Sequence, residues 1–127
     1  MNPLEERTED VVTPMFEGVE NLAKKYPKVP QKRLDKMVRL FLRLLELYCK
    51  KNSDYGDSFS RSLDELGIMA FVVRADDKMN RIKQLAKNKE AHLVEDEPLD
   101  KTIADQANYA MMYLLWRVEQ GVEPTIE

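Results

Sequence analysis

Residues 34–48 read LDKMVRLFLRLLELY, and this stretch decides the class of fold. Its apolar side chains recur every three or four residues, the spacing that places them on one face of an α-helix. Pro30 precedes the stretch at a position where a helix tolerates proline, in its first turn. The pattern therefore predicts a long amphipathic helix from Pro30 to about Lys51.

The rest of the chain shows the same helical period and no alternation with a period of two. Further helices are predicted over residues 14–25, 58–66, 68–88 and 98–121. Three long helices and one or two short ones predict an all-α fold, a small helical bundle. We expect a flexible N-terminal arm, a single helical domain and a short tail, over residues 1–13, 14–121 and 122–127.

The composition excludes several classes of function. The chain has 127 residues, a net charge of −3, one cysteine, Cys49, and one histidine, His92. A single cysteine cannot form an internal disulfide, which favours a reducing compartment such as the cytoplasm. With no second His or Cys near either residue, zinc sites and Cys/His nucleophilic catalysis are excluded. We expect Cys49 and the pair Met111-Met112 to lie in the core, and no apolar run is long enough to span a membrane.

Basic residues are concentrated in one segment, which we call the basic stripe: Lys24, Lys25, Lys28, Lys32, Arg33, Lys36, Arg39 and Arg43. Asp35 is the only acid among them. Such a stripe is most often a solvated helix face, and this is the interpretation we favour. The alternative is an interface for nucleic acid or phosphates. Aromatic residues for base stacking are few there, Tyr26 and Phe41, and Phe41 belongs to the apolar face.

One face of the last predicted helix carries Glu97, Lys101, Asp105 and Asn108, spaced by four, four and three residues. Mg²⁺ prefers oxygen ligands, and one or two carboxylates plus substrate phosphates often suffice. Glu97 and Asp105 are two turns apart, roughly 12 Å along the axis, so one ion site needs side chains from another helix as well. Asp100 lies at the edge of this face and could assist. The alternative is a solvated Glu–Lys–Asp ladder, and the spacing alone leaves both open.

A second polar face lies on the preceding helix and consists of Arg74, Asp77, Lys78 and Arg81. Arginine offers a planar fork for phosphate oxygens and lysine a point charge, while Asp77 would pair with one of them or contribute to the metal. If this face meets the acids of the last helix, the result is either an inter-helix salt-bridge network or a pocket for an anion and a metal. Both alternatives stay open at this point.

The segment between the first long helix and the next helix is predicted to be a loop over residues 52–57. Asp54-Tyr55-Gly56 is an ordinary turn signal. Tyr55 could stack on a base, and Asp54 could bind a sugar hydroxyl or a metal-bound water. The alternative for Tyr55 is packing against a neighbouring helix.

Three blocks in this order have a recognisable pattern: Lys51-x-x-Asp54-Tyr55-Gly56, then Arg74-x-x-Asp77-Lys78-x-x-Arg81, then Asp96-Glu97 followed by Thr102-x-x-Asp105-x-Ala107-Asn108-Tyr109. Together they resemble the nucleotide modification associated domain 1 family, a small all-helical group frequent in bacteriophages and their bacterial hosts. The similarity covers roughly residues 45–117. More distantly, the acidic helix motifs are similar to those of all-α nucleotide pyrophosphohydrolases of the MazG type, which cleave nucleoside triphosphates using Mg²⁺ held by carboxylates.

The resemblance implies a nucleotide-processing protein. The leading hypothesis is a Mg²⁺-dependent nucleoside triphosphate pyrophosphohydrolase that acts on a nucleotide or a modified nucleotide, with Glu97 and Asp105 as catalytic residues. Mg²⁺ would be held by Asp77, Glu97, Asp100 and Asp105. The nucleotide and its phosphates would be bound by Lys51, Asp54, Tyr55, Arg74, Lys78, Arg81 and Asn108.

Two departures from the MazG-type pattern favour a second hypothesis. Residues 74–81 are not a glutamate cluster, and Lys101 stands where an acid is expected just before Thr102. The alternative is a phage protein that binds and sequesters a nucleotide, for example a cyclic signalling nucleotide, without hydrolysing it. A third hypothesis, ranked below these two, is a nucleic-acid-associated accessory protein that uses the basic stripe. For either pocket we expect a homo-oligomer in the cytoplasm, that of the host if a phage encodes the protein, and no membrane partner.

Overall fold

The computed structural model describes residues 17–90 and 96–127. Within them, helix α1 covers residues 17–25 and is followed by α2 (Gln31–Tyr55), α3 (Ser58–Leu66), α4 (Ile68–Glu90) and α5 (Asp96–Glu119). No strand occurs in these residues, so the predicted all-α fold with three long helices is confirmed. In the same part of the chain, no helix combines the length and the apolar character that crossing a membrane requires.

The contacts divide the chain into two compact units, and the division falls between Leu47 and Tyr48, inside α2. Among the described residues of the first unit, the buried hydrophobic side chains are Val19 and Val38. The predicted N-terminal arm lies outside the described residues, and residues 122–127 contain no helix. The predicted limits of a single domain, 14–121, stay a prediction.

The second unit packs α3, α4 and α5 around a small core rich in aromatic side chains. Its members are Phe59, Leu63 and Ala70, with Phe71, Tyr109, Met112, Tyr113 and Trp116 packed against them. The rings of Phe59 and Tyr109 meet edge to face with their centroids 4.9 Å apart, an arrangement that aromatic pairs prefer. This core fixes the first turns of α3 against the middle of α5, where side chains of the candidate site are found.

Glycines form the two short joints that separate α2, α3 and α4. Gly56 and Gly67 have φ angles of 68° and 61°, which glycine adopts without a steric penalty. The amide of Gly56 donates to the carbonyl of Asn52 at 2.9 Å, and that of Gly67 donates to the carbonyl of Leu63 at 2.7 Å. The joint at Gly56 brings the last turns of α2 and the first turn of α3 to one cleft.

The prediction of a loop over residues 52–57 is mostly wrong. Helix α2 continues to Tyr55, so only Gly56 and Asp57 separate it from α3. The polar composition from Asn52 to Asp54 indicates a loop, but no helix-breaking residue occurs in α2 before Gly56. Two residues with predicted loop roles, Asp54 and Tyr55, therefore belong to the last turn of a helix.

Two side chains predicted to lie in the core are exposed, Cys49 and Met111. At Cys49 the prediction is wrong because the neighbouring residues Tyr48 and Asn52 occupy the covered side of α2. On α4, Lys78 is partly covered, whereas its neighbour Met79 is exposed. A polar residue on the inner side of a helix shifts the buried face away from the one that apolar periodicity alone indicates.

Candidate functional site

Asp105 of α5 lines two neighbouring clefts among the described residues of the second unit. The first, which we call the aromatic cleft, has a volume of about 200 Å³ and is lined by Tyr48, Lys51, Asn52, Gly56, Asp57, Ser58, Phe59, Asp105, Asn108, Tyr109 and Met112. The second, the basic cleft, has a volume of about 420 Å³ and is lined by Lys78, Arg81, Glu97, Pro98, Lys101, Thr102 and Asp105. The carboxylate of Asp105 is therefore a shared wall.

The aromatic cleft combines rings with amide side chains. Its rings and amides are Tyr48, Phe59, Tyr109, Asn52 and Asn108. Burial raises the pKa of Tyr48 above the ordinary value for tyrosine, and the negative charge of Asp57 raises this pKa further. The Tyr48 hydroxyl therefore stays protonated at neutral and mildly alkaline pH, where it can both donate and accept a hydrogen bond.

Asp105 binds two lysines that come from different helices. Nζ of Lys51 on α2 lies 2.6 Å from Oδ1 of Asp105, and Nζ of Lys78 on α4 lies 3.3 Å from Oδ2. The side chain of Asp105 is 17% exposed, against 51% for Lys51 and 27% for Lys78. Two ammonium groups thus compensate a carboxylate that is mostly removed from water. An inter-helix salt-bridge network, one of the two alternatives that the sequence leaves open, is present.

A buried hydroxyl fixes the position of Arg81 at the basic cleft. Nε of Arg81 donates to Oγ1 of Thr102 at 3.3 Å, and the hydroxyl of Thr102 donates to the carbonyl of Pro98 at 2.8 Å. Thr102 is only 3% exposed. Since Pro98 lies one turn before Thr102 on α5, the arginine of α4 is held by the first turns of α5.

Glu97 and Lys101 form an ion pair along α5 at the rim of the basic cleft. Their oxygen and nitrogen atoms are 2.7 Å apart, and both side chains are largely exposed. The hydrogen bond from Lys101, followed by its positive charge, lowers the pKa of Glu97, and the same hydrogen bond raises the pKa of Lys101. Both groups are therefore charged at neutral pH. The first half of the Glu–Lys–Asp ladder, one of the two alternatives that the spacing left open, is present.

The carboxylates at the basic cleft do not form a ready metal site. Among the described residues, no three or more His, Cys, Asp or Glu side chains are grouped so that they could hold a metal ion. Of the predicted ligands, Glu97 and Asp105 are each paired with lysine, and Asp77 and Asp100 line neither cleft. Oxygen ligands that are already neutralised by ammonium groups fit Mg²⁺ poorly. The Mg²⁺ cofactor, and the metal-binding and catalytic roles of these residues, stay predictions.

The structure brings together some of the residues predicted to bind a nucleotide. Four of them line the clefts: Lys51, Lys78, Arg81 and Asn108. Asp54 and Arg74 line neither cleft, and the side chain of Tyr55 lies outside the described parts of the chain. The two polar faces, whose meeting the sequence left open, are in contact, since Lys78 and Arg81 of α4 reach α5.

Sequence reasoning missed the residues whose role depends on the tertiary arrangement. The missed residues are Tyr48, Asn52, Asp57, Ser58, Phe59, Thr102, Tyr109 and Met112. Thr102 and Tyr109 stand inside the motif of the third block, which was a usable signal. No local pattern marks Phe59, because its place at the cleft follows from its contact with Tyr109 across two helices.

The basic stripe belongs to the first unit, and all eight of its side chains are exposed. Nζ of Lys25 lies 5.5 Å from the centroid of the Tyr26 ring, which is within the range of a cation–π interaction. The exposure agrees with a solvated face, and binding of nucleic acid by the stripe stays a prediction.

The segment that carries both clefts also matches a known family. The family described as nucleotide modification associated domain 1 matches residues 51–116, just over half of the chain. The matched segment contains every residue that lines the basic cleft and all residues that line the aromatic cleft except Tyr48. No curated protein and no solved structure matches the chain.

Proposed function

This chain belongs to the nucleotide modification associated domain 1 family, and from that premise we propose that it binds a nucleotide across the two clefts. The nucleoside occupies the aromatic cleft and the phosphate occupies the basic cleft. The observation that carries this proposal is the position of Asp105, which lines both clefts and so makes them neighbours. One cleft is aromatic and the other is cationic, which are the two chemistries that the halves of a nucleotide require.

The aromatic cleft supplies the groups that recognise a base. Rings such as those of Tyr48, Phe59 and Tyr109 offer surfaces on which a planar base can stack. Amides such as that of Asn52 offer a donor and an acceptor side by side, which suits the polar edge of a base. Its volume of about 200 Å³ lies below the ~300–1,000 Å³ of pockets for drug-sized ligands. It therefore suits one nucleoside and not a dinucleotide.

The basic cleft supplies the groups that recognise a phosphate. Arg81, Lys78 and Lys101 bring positive charge from α4 and α5 to one opening. Arginine binds phosphate oxygens through two parallel hydrogen bonds, and lysine adds a point charge. A ligand that spans both clefts must pass the shared carboxylate of Asp105, which also orients two of the lysines.

Binding without hydrolysis is the version that the geometry supports best. The finer hypothesis, a Mg²⁺-dependent triphosphate pyrophosphohydrolase, needs carboxylates that are available to a metal ion. Glu97 and Asp105, the two predicted catalytic residues, are each bound to lysine instead. A protein that holds an intact nucleotide needs only the rings, amides and cations that the clefts present.

A matched pair of arginine variants tests the proposal. Purified wild-type protein, Arg81→Met and Arg74→Met would be titrated with nucleotides by calorimetry. Both variants remove one arginine from α4, but only Arg81 lines a cleft. We expect Arg81→Met to weaken binding by about tenfold, since hydrogen bonds to charged groups contribute ~1.5–3 kcal/mol. Arg74→Met should bind like the wild type, and an equal loss in both variants would contradict this site.

The same samples separate binding from hydrolysis. Each would be incubated with nucleoside triphosphates and cyclic nucleotides, with and without Mg²⁺, and analysed by mass spectrometry. An intact nucleotide recovered with the protein supports binding. Mg²⁺-dependent release of monophosphate and pyrophosphate, lost in Glu97→Gln and Asp105→Asn, would instead establish the pyrophosphohydrolase. Absence of any nucleotide binding would overturn the proposal and direct attention to the basic stripe.

A further inference from the structure

Only the Nε side of the Arg81 guanidinium has a hydrogen-bond partner among the described residues. Its Nε donates to Thr102, and among the described residues neither terminal nitrogen of the guanidinium has a hydrogen-bond partner. Guanidinium carries four of its five N–H donors on those terminal nitrogens. The side chain is thus fixed in position while its fork stays available at the basic cleft.

Thr102 is placed so that it sets the direction of this fork. Its hydroxyl is buried and donates to the carbonyl of Pro98 at 2.8 Å, which leaves the oxygen lone pairs to accept from Nε of Arg81. A hydroxyl that is already tied to the backbone cannot turn away, so the acceptor for Arg81 stays in one place. Replacing the hydroxyl by a methyl group would release Nε while keeping the shape of the side chain.

The charges that line the two clefts leave a small excess of positive charge. Of the described side chains that line the clefts, four are basic and three are acidic. They are Lys51, Lys78, Arg81 and Lys101 against Asp57, Glu97 and Asp105. Three of the cations are already paired with acids. Within the described residues, Arg81 is the cation of this set that has no acidic partner.

We infer that the nucleotide ligand carries a single phosphate, that the fork of Arg81 binds it, and that Thr102 is the residue that positions this fork. The inference rests on the proposed function and names its ligand class, a nucleoside monophosphate. A phosphate monoester carries about −1.5 to −2 charges at pH 7, which one unpaired arginine with flanking lysines can bind. A triphosphate carries more charge and normally brings Mg²⁺, for which these clefts have no ready ligand set.

The test is calorimetric titration of the wild type, Thr102→Val and Thr102→Ser. The probes are the four 2′-deoxynucleoside 5′-monophosphates, the matching triphosphates and the matching nucleosides, each with EDTA and with Mg²⁺. We expect a monophosphate to bind at least as tightly as its triphosphate. Thr102→Val should weaken monophosphate binding about fivefold, the size of one net hydrogen bond, and leave nucleoside binding unchanged. Thr102→Ser, which keeps the hydroxyl, should stay within about twofold of the wild type.

Each other result overturns a stated part. A triphosphate that binds ten times more tightly than its monophosphate would overturn the ligand class while leaving nucleotide binding intact. Equal losses for nucleoside and monophosphate in Thr102→Val, or no rescue in Thr102→Ser, would make Thr102 a merely structural residue. If Thr102→Val does not fold, Arg81→Lys replaces it, with an expected loss of about tenfold for the monophosphate alone. If no probe binds the wild type, the proposed function and this inference both fall.

Discussion

Replacing Asp105 by asparagine separates the two roles that this carboxylate could have. The substitution keeps the size of the side chain and one acceptor oxygen, but it removes the charge that pairs with Lys51 and Lys78. If the carboxylate serves to clamp the lysines, its loss costs stability and frees cations for an anionic ligand. If it is a metal ligand or a catalytic group, its loss weakens nucleotide processing instead.

The magnitude follows from the exposure of the two pairs. Lys51 is half exposed, so its pair with Asp105 contributes the ~0.5–1 kcal/mol of a surface ion pair. The pair with Lys78 is better covered, but it is long, 3.3 Å, so we assign it about 1–2 kcal/mol, below the ~3–5 kcal/mol of a fully buried pair. Together, Asp105→Asn should lower the free energy of unfolding by about 2 kcal/mol.

The assay is urea unfolding followed by fluorescence of Trp116, the single tryptophan, whose ring nitrogen donates to Asp64 in the second unit. The control is Asp100→Asn, which makes the same charge change at an exposed position on α5 that lines neither cleft. We expect this control to change the free energy of unfolding by less than about 0.5 kcal/mol. In 1 M salt the difference in the free energy of unfolding between the two variants should shrink, because the Debye length is then about 3 Å.

Ligand binding gives the second measurement on Asp105→Asn. We expect affinity for a nucleoside monophosphate to rise about fivefold, because removing one solvent-screened negative charge from the cleft is a change of ~1 kcal/mol. The clamp interpretation would be refuted if this variant were as stable as Asp100→Asn. A loss of affinity on substitution would refute it as well, and would favour the role as a metal ligand.

Three further predictions address the core, the rim of the basic cleft and self-association. Leu63→Ala, at a fully buried position, should cost about 2–5 kcal/mol in urea unfolding, whereas Leu66→Ala, at an exposed one, should cost less than about 1 kcal/mol. Lys101 lowers the pKa of Glu97, so this pKa lies below its ordinary value of 4.5 in the folded protein. The ion pair therefore stabilises the fold above pH 4.5, and this stabilisation is lost as the pH falls through the lowered pKa. An NMR titration should show this pKa returning to about 4.5 in Lys101→Met. The third prediction concerns the exposed apolar side of α5, where Met111 is 60% exposed. If a second copy of the chain covers this side, Met111→Glu should turn the oligomer into a monomer in light scattering. An unchanged mass would argue against that interface.

The helices were predictable because their signals are local. Apolar spacing, prolines in first turns and glycines after last turns act within a few residues, and they locate α2 to α5 to within about two to four residues. The end of α2 was placed four residues early because composition cannot show that Asn52 to Tyr55 remain helical. The partial burial of Lys78 on α4 was not predictable, because only its pairing with Asp105 on another helix makes that position favourable.

The candidate site was predictable in part for the same reason. Lys78 and Asp105 stood out as charges at helical spacing, and Lys51 stood out as part of the first motif block. The convergence of the two lysines on the carboxylate of Asp105 needs three helices in place. The pairing of Phe59 with Tyr109 in the aromatic cleft was not predictable, since the two residues are far apart in sequence and meet only across the core.

A single carboxylate between two clefts makes their residues epistatic. If Lys51 is replaced, Asp105 pairs with Lys78 alone and holds that ammonium group away from a phosphate. A substitution in the aromatic cleft therefore alters the charge that is available to a ligand in the basic cleft. Substitutions at Lys51 and Lys78 should therefore not combine additively, as residues in one network seldom do. With the proposed nucleotide binding, a lineage that evolves a new base preference through the aromatic cleft would have to compensate in the basic cleft as well, which restricts the order in which such substitutions can accumulate.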